Sequence, residues 1–264
     1  MLVFPQLTTG AVALYPVTRQ TVQRTVVNTL SDGSTVIYSD PDAARTMWEI
    51  QAKGLTAAEW NSIEALFDAV AGQWQPFTLL DPAGNLFADS ELLSSGAWVN
   101  GALIELTAGV SDPLGTTRAT QVVNTGIAAE SVGQTLAVPG NYQYCLSTWA
   151  MTVGGSSVTL AASTAGASVS TTFPLTTDWQ WISIPVNLAQ STISVTFAAE
   201  LAAGATVDLF GMQVEAQLAP SAYKMTGTNG GVYAGARFAS DSLTVRAQST
   251  DVFDVTIRIL SGGD

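Results

Sequence analysis

Gly54-Leu55-Thr56-Ala57-Ala58-Glu59-Trp60-Asn61-Ser62-Ile63-Glu64-Ala65-Leu66-Phe67-Asp68-Ala69-Val70-Ala71-Gly72 is the stretch that sets the reading of this chain, because it carries a helical period in a sequence otherwise patterned for strands. Thr56 is a good N-cap and Glu59 stands three positions on, the arrangement of a capping box, while Leu55 can pack on Trp60 as a hydrophobic staple. Trp60, Ile63, Phe67 and Val70, joined by Leu66, recur at helical spacing, and Gly72 supplies a stop. The pattern predicts a helix over 57–71 with one apolar stripe, which needs a sheet to cover.

Strand patterns lie on both sides. Leu14 to Leu30 is rich in Val and Thr, and Asp32-Gly33 separates it from Ser34-Thr35-Val36-Ile37-Tyr38, which reads as a hairpin. Thr46-Met47-Trp48-Glu49-Ile50-Gln51 alternates with Thr46, Trp48 and Ile50 on one side. After the helix come Pro76-Phe77-Thr78-Leu79-Leu80 and the turn signature Asp81-Pro82-Ala83-Gly84-Asn85. Far downstream, Asp241 to Arg246 and Val252 to Ile259 alternate again, the latter with Phe253, Val255, Ile257 and Ile259 on one face.

Between these segments the texture changes. From Ala88 to Ala222 the chain has one basic residue, Arg118, and long runs of Gly, Ala, Ser, Thr and Val. Nine short strands are expected, at 102–107, 119–124, 133–138, 142–151, 156–162, 167–173, 179–186, 191–198 and 205–215, which implies a β-sandwich or jelly roll. Gly and Ser could instead signal a disordered linker, but Trp98, Trp149, Phe173, Trp179, Trp181, Phe197 and Phe210 supply bulky anchors that disorder does not need. Eight of the nine basic residues lie in 1–87 and 223–264. The expectation is a mainly β chain of two modules: a small β-rich domain with one covering helix, made of 1–87 and 225–264, interrupted by a β-sandwich over 88–224. Gly227 to Gly235 is read as a flexible return joint, and a continuous three-piece arrangement is the competing organisation.

Composition narrows the function. The chain is 47% hydrophobic and only 11% charged, with a mean hydropathy of +0.28, yet no apolar run reaches the roughly 20 residues needed to span a bilayer. Met1-Leu2-Val3-Phe4-Pro5 has no charged region followed by an apolar stretch, so no secretory signal is expected. A net charge of −12 disfavours nucleic acid as a partner. The single Cys145, in the apolar run Tyr142-Gln143-Tyr144-Cys145-Leu146, reads as a core residue. Histidine is absent, which removes Ser-His-Asp and Cys-His catalysis and histidine-based metal sites. No cofactor, metal or enzymatic activity is expected. Asp32-Gly33 and Asp40-Pro41-Asp42 lack the spacing of a calcium loop and read as turns.

The outer segments resemble the distal tail proteins of long-tailed bacteriophages and related gene-transfer particles. The resemblance lies in Met47-Trp48-Glu49-Ile50, Gly54 to Glu59, Ile63, Leu66-Phe67, Gly72, Pro76 to Pro82, Arg237-Phe238 and Asp251 to Ile257. It implies a ring, usually of six copies, in the virion tail, joining the tail tube to the hub or baseplate. The middle segment is similar to carbohydrate-binding jelly rolls through Gly211-Met212-Gln213-Val214-Glu215 and Ala219-Pro220-Ser221-Ala222-Tyr223, which implies a module able to contact host-surface glycan. A stand-alone glycan-binding protein and a carboxylate-based glycoside hydrolase are the alternatives; the hydrolase would need two carboxylates roughly 5–9 Å apart, and no local pattern nominates a pair. Trp98, Tyr142, Tyr144, Trp149, Trp179 and Trp181 are the candidate glycan-contact aromatics, with core packing as the competing role for each. Arg19, Arg24, Arg45, Lys53, Arg237, Arg246 and Arg258 are few on an acidic chain and are candidates for pairing across subunits or with the tube.

Overall fold

The structure is a computed structural model that describes residues 1–262; the last two residues of the expected 225–264 segment lie outside it. In chain order the elements are β1 (Val17–Thr29), β2 (Thr35–Thr56), α1 (Ala57–Ala69), β3 (Phe77–Leu80), β4 (Val99–Asn100), β5 (Ile104–Val110), β6 (Ala119–Asn124), β7 (Glu130–Leu136), β8 (Gln143–Met151), β9 (Ser157–Ser163), β10 (Ser168–Pro174), β11 (Gln180–Asn187), β12 (Val195–Leu201), β13 (Thr206–Glu215), β14 (Val232–Phe238), β15 (Val245–Ser249) and β16 (Val252–Ser261). They form two compact units, one from residues 1–8, 13–79 and 233 onward, the other from 9–12 and 80–232. The second unit therefore opens at Leu80, before residue 88. Leu86 and Phe87 belong to its core, Phe87 packing on Trp98 at 4.9 Å and on Phe197 at 6.2 Å between ring centroids.

The first unit is a sheet ordered β1-β2-β16-β14-β3, with β15 also paired to β16. Its inner face carries Trp48, Ile50, Ala52, Val255, Ile257 and Ile259, all buried, and α1 contributes Trp60, Ile63 and Leu66 against it. The helix begins as its sequence requires: the Thr56 hydroxyl accepts from the Glu59 amide, and the Glu59 carboxylate accepts from the Thr56 amide at 2.9 Å. Glu59 also accepts from the Thr8 amide and hydroxyl at 2.8 and 2.6 Å. Burial raises its pKa, but these hydrogen bonds outweigh it and hold the carboxyl down to about 2. Trp60 stacks on Phe253 at 6.4 Å.

Three expectations change here. Asp40-Pro41-Asp42 is no turn; it lies within β2, a single 22-residue strand, where the β1–β2 register shifts between Val22 and Arg24. A bulge absorbs the irregularity without ending the strand. Residues 241–244 lie outside β15, which starts at Val245. The segment 227–235, read as a flexible joint, contains the start of β14, whose Tyr233 ring meets Trp48 at 4.6 Å while Ala236 and Phe238 are buried. The glycines before it serve close approach: a Cβ on Gly230 would sit 2.2 Å from the Leu86 carbonyl oxygen.

From the sheet a hairpin arm projects. β16 pairs with β2 only from Thr46 to Thr56, so the part of β2 before Thr46 pairs with β1 alone, out to the turn at Leu30–Ser34. Gly33 sits there at φ 84°, and Asp32 accepts from the Ser34 amide at 2.9 Å. One face of the arm carries Val26, Tyr38 and Val36, the other Val27 and Ile37. Ile37 is 65% exposed and Val27 57%.

The second unit is a β-sandwich of the jelly-roll kind, with sheets ordered β10-β9-β12-β7-β4 and β11-β8-β13-β6-β5. The nine expected strands are present with shifts of up to four residues at their ends, and β4 is added. Its core lies between the sheets, where Leu146, Val158, Leu160, Phe197, Val207 and Leu209 are buried. Asn85, 1% exposed, ties the strands that enter and leave. Its amide nitrogen donates to the Met212 and Lys224 carbonyls at 2.9 and 3.2 Å, and its oxygen accepts from the Val214 and Phe87 amides at 3.0 and 3.1 Å.

Trp60→Ala is expected to destabilise the first unit by about 3–5 kcal/mol, the range for truncating a buried aromatic; a loss below about 1 kcal/mol in denaturant titration would contradict the packing described.

Candidate functional site

The jelly-roll sheet β11-β8-β13-β6-β5 turns alternate residues inward and outward. Tyr144, Leu146 and Ala150 of β8 face the core with Ile182, Ile184 and Val186 of β11, and Leu209 of β13. The other register belongs to the outer face: Trp181 opposite Trp149, Trp149 opposite Phe210, Met151 opposite Asp208, and Asp208 opposite Gln121.

The six candidate aromatics separate accordingly. Trp98 is 5% exposed, and its indole N–H donates to the Asp89 carbonyl at 3.0 Å. Tyr144 is 1% exposed, its hydroxyl donates to the Pro139 carbonyl at 2.6 Å, and burial pushes its pKa up. Both are core residues, which removes them as ligand contacts. Tyr142 and Trp179 are half-buried and lie outside the strands. Trp149 and Trp181 remain: they share one sheet face, half-buried, with ring centroids 5.4 Å apart and planes tilted by 50°.

Part of this face is closed by the chain leaving β13. Tyr223 lies edge-on to Phe210 at 5.3 Å, and its hydroxyl is 2.7 Å from Ser90 Oγ. Arg118 sits over the same Phe210 ring at 5.3 Å. Beyond them Glu215 is buried, accepting from the Ser221 amide and from Lys224 Nζ at 2.8 and 2.6 Å. Cys145 lies beneath this cover; burial, with the nearby Glu215 charge, pushes its thiol up to about 12, which suits an unreactive core residue.

Polar groups border the open part. Gln121 Nε2 donates to Asp208 Oδ1 at 3.2 Å. Arg118 donates through one nitrogen to both oxygens of Glu91, at 2.9 and 3.1 Å, and through Nε to Thr116 at 3.0 Å. Asp112 holds the loop that carries Arg118, accepting from the amides of Leu114, Thr116 and Arg118 at 2.8, 3.1 and 3.1 Å and from the Thr116 hydroxyl. In the sequence Asn85 reads only as the end of a turn, Asp112 only as one of several acidic residues whose Asp-Pro pair at 112–113 is a turn former, and Gln121 carries no signal.

What the arrangement offers is a pair of tilted aromatic faces at the surface of a sheet, with the half-buried Gln121 amide beside them. Such a floor can take the C–H face of a flat ring while the polar rim pairs with its substituents. Among the described residues no group of three or more His, Cys, Asp or Glu is placed to hold a metal ion, and no helix is long and apolar enough to cross a membrane.

The second unit is thus a mainly β, two-sheet module with a surface aromatic pair. No protein-family model and no curated protein matches the sequence. Among solved structures, the enzymatically active domain of tailspike protein 4 of bacteriophage CBA120 is similar at a TM-score of 0.41 and 11% identity, over 52% of this chain and 22% of that one. The CBM22-1 xylan-binding domain of Paenibacillus barcinonensis Xyn10C is similar at 0.39 and 12%, over 53% of this chain and 94% of that one. TmCBM61, solved with β-1,4-galactotriose, is similar at 0.38 and 14%, over 49% and 97%. The likeness is partial and says nothing of ligand or activity in this chain.

Burial raises the Asp112 pKa, but the hydrogen bonds from Thr116, Arg118 and Leu114 prevail and hold it down to about 2. A folded pKa below the unfolded one means that its stabilisation is complete above the ordinary carboxyl value, near 4, and is lost as pH falls through about 2. The stability gap between the parent and Asp112→Asn, measured by urea titration, is expected to shrink from pH 6 to pH 2. A gap independent of pH would contradict this role.

Proposed function

We propose that the protein is a structural component of a phage tail that self-associates into a ring, six copies being the number the sequence resemblance implies, and joins the tail tube to the hub or baseplate. Its jelly-roll unit is proposed to contact host-surface carbohydrate by binding, without turnover.

The hairpin arm carries the assembly reading. A two-stranded ribbon with water on both faces is marginal alone, and this one presents Val27 and Ile37 on one side and Tyr38 and Val36 on the other. Among the described residues β1 stands at the edge of the sheet order, and an open edge favours pairing with another chain. A head-to-tail contact that closes gives a ring. The Trp149–Trp181 face supports the carbohydrate reading independently of assembly.

Mass measurement on the purified full-length protein tests the first part. A closed oligomer is expected for the parent, and Val27→Asp with Ile37→Asp is expected to give monomer with an unchanged circular-dichroism spectrum. An oligomer indifferent to this double substitution would remove the arm from the interface, and imaging that places the protein outside the tube-to-hub joint would overturn the tail assignment.

A further inference from the structure

We infer that the Trp149–Trp181 face is selective for neutral glycans and rejects anionic ones such as phosphate-bearing or uronate polymers; the inference rests on the carbohydrate-binding reading. The second unit contains two basic residues, Arg118 and Lys224, against ten acidic ones. Both cations are already paired with carboxylates of the unit. Arg118 is engaged by Glu91, with the Asp112 carboxylate 3.8 Å from its Nε, and its Cζ lies over the Phe210 ring at 5.3 Å. Lys224 is 2.6 Å from Glu215.

An anionic polymer reaching the aromatic pair would meet a unit of net negative charge and would have to compete with Glu91 and Glu215 for its two cations, which is unfavourable. A neutral sugar meets the opposite situation. Its C–H face stacks on an indole, and its hydroxyls can pair with the half-buried Gln121 amide, which the buried Asp208 carboxylate orients by accepting from it at 3.2 Å. With no net charge on the ligand, affinity gains nothing from long-range attraction, so it is insensitive to screening.

The test uses the full-length protein and two probe sets: cellohexaose, dextran and mannan as neutral glycans, and polygalacturonate and glycerol-phosphate teichoic acid as anionic ones. Binding is followed by calorimetry and tryptophan fluorescence at 20, 150 and 500 mM NaCl. Expected is binding of at least one neutral probe, with a Kd changing less than twofold across the salt series, and no binding of anionic probes. Trp149→Ala and Trp181→Ala should each weaken it at least tenfold while the circular-dichroism spectrum is kept, and Trp181→Phe should retain most of it. Salt-sensitive binding of an anionic polymer would overturn the inference and leave the carbohydrate-binding reading standing. Neutral binding unaffected by both tryptophan substitutions would overturn the assignment of this face. Failure of both probe sets to bind would overturn the carbohydrate-binding reading itself, and the inference with it.

Discussion

The architecture of the jelly-roll unit hinges on one buried amide. Asn85 stands where the chain enters the sandwich, and its four hydrogen bonds reach β13 at Met212 and Val214, the exit segment at Lys224, and its own entry segment at Phe87. An amide has two donor hydrogens and an acceptor oxygen, so all its capacity is used, and no apolar residue could replace it without stranding backbone groups in the interior. Around it the entering and leaving segments run together: Leu86 donates to Val214, Asp89 to Gly227 and Gly231 to Asn85, each through its backbone N–H. The exit segment then crosses the outer sheet face and places Tyr223 over Phe210. The extent of the open aromatic surface is therefore set by where the chain leaves.

Much of this fold is legible in the sequence because it obeys local rules. The capping box of Thr56 and Glu59 and the apolar stripe of α1 are written in adjacent residues, and β16 alternates cleanly because one face meets the helix. What escaped reading depends on distant partners. In β14 the alternation of Ala236 and Phe238 is preceded by glycines whose purpose is contact with Leu86 and Asn85, more than a hundred residues away. In β2 an Asp-Pro-Asp sequence has the composition of a turn, yet pairing with β1 on both sides of it, up to Asp40 and again from Arg45, reduces it to a bulge. The arm follows its Asp-Gly turn signal, but its isolation from the sheet appears only when β16 is seen to stop at Thr46.

The aromatic site was half legible. Trp181 and Ser183 stand at alternate positions and so share one face of their strand, but alternation alone does not tell whether that face meets the core. Cross-strand register decides it, since Trp181 lies opposite Trp149 and their neighbours Ile182 and Thr148 point inward. Trp98 and Tyr144 look equally suited in sequence, but each uses its polar atom on a backbone carbonyl, the usual sign of an aromatic anchored in an interior. The carboxylates around the site come from the segment before β4 (Glu91), the loop before β6 (Asp112) and β13 (Asp208 and Glu215), and nothing in their spacing along the chain points to one another.

The length of β2 has a mechanical meaning. At about 3.3 Å per residue, 22 fully extended residues would span at most roughly 70 Å, less the bulge after Asp40, and this one strand runs from the arm's turn to Thr56, the N-cap of α1. Backbone pulled or stiffened at one end is held at the other by the ladder to β16 and by the helix cap. The strand therefore behaves as a tie rod: load taken by the arm passes along its backbone to the helix-covered core instead of being dissipated in a loop, so whatever grips the arm also tensions the fold that carries it.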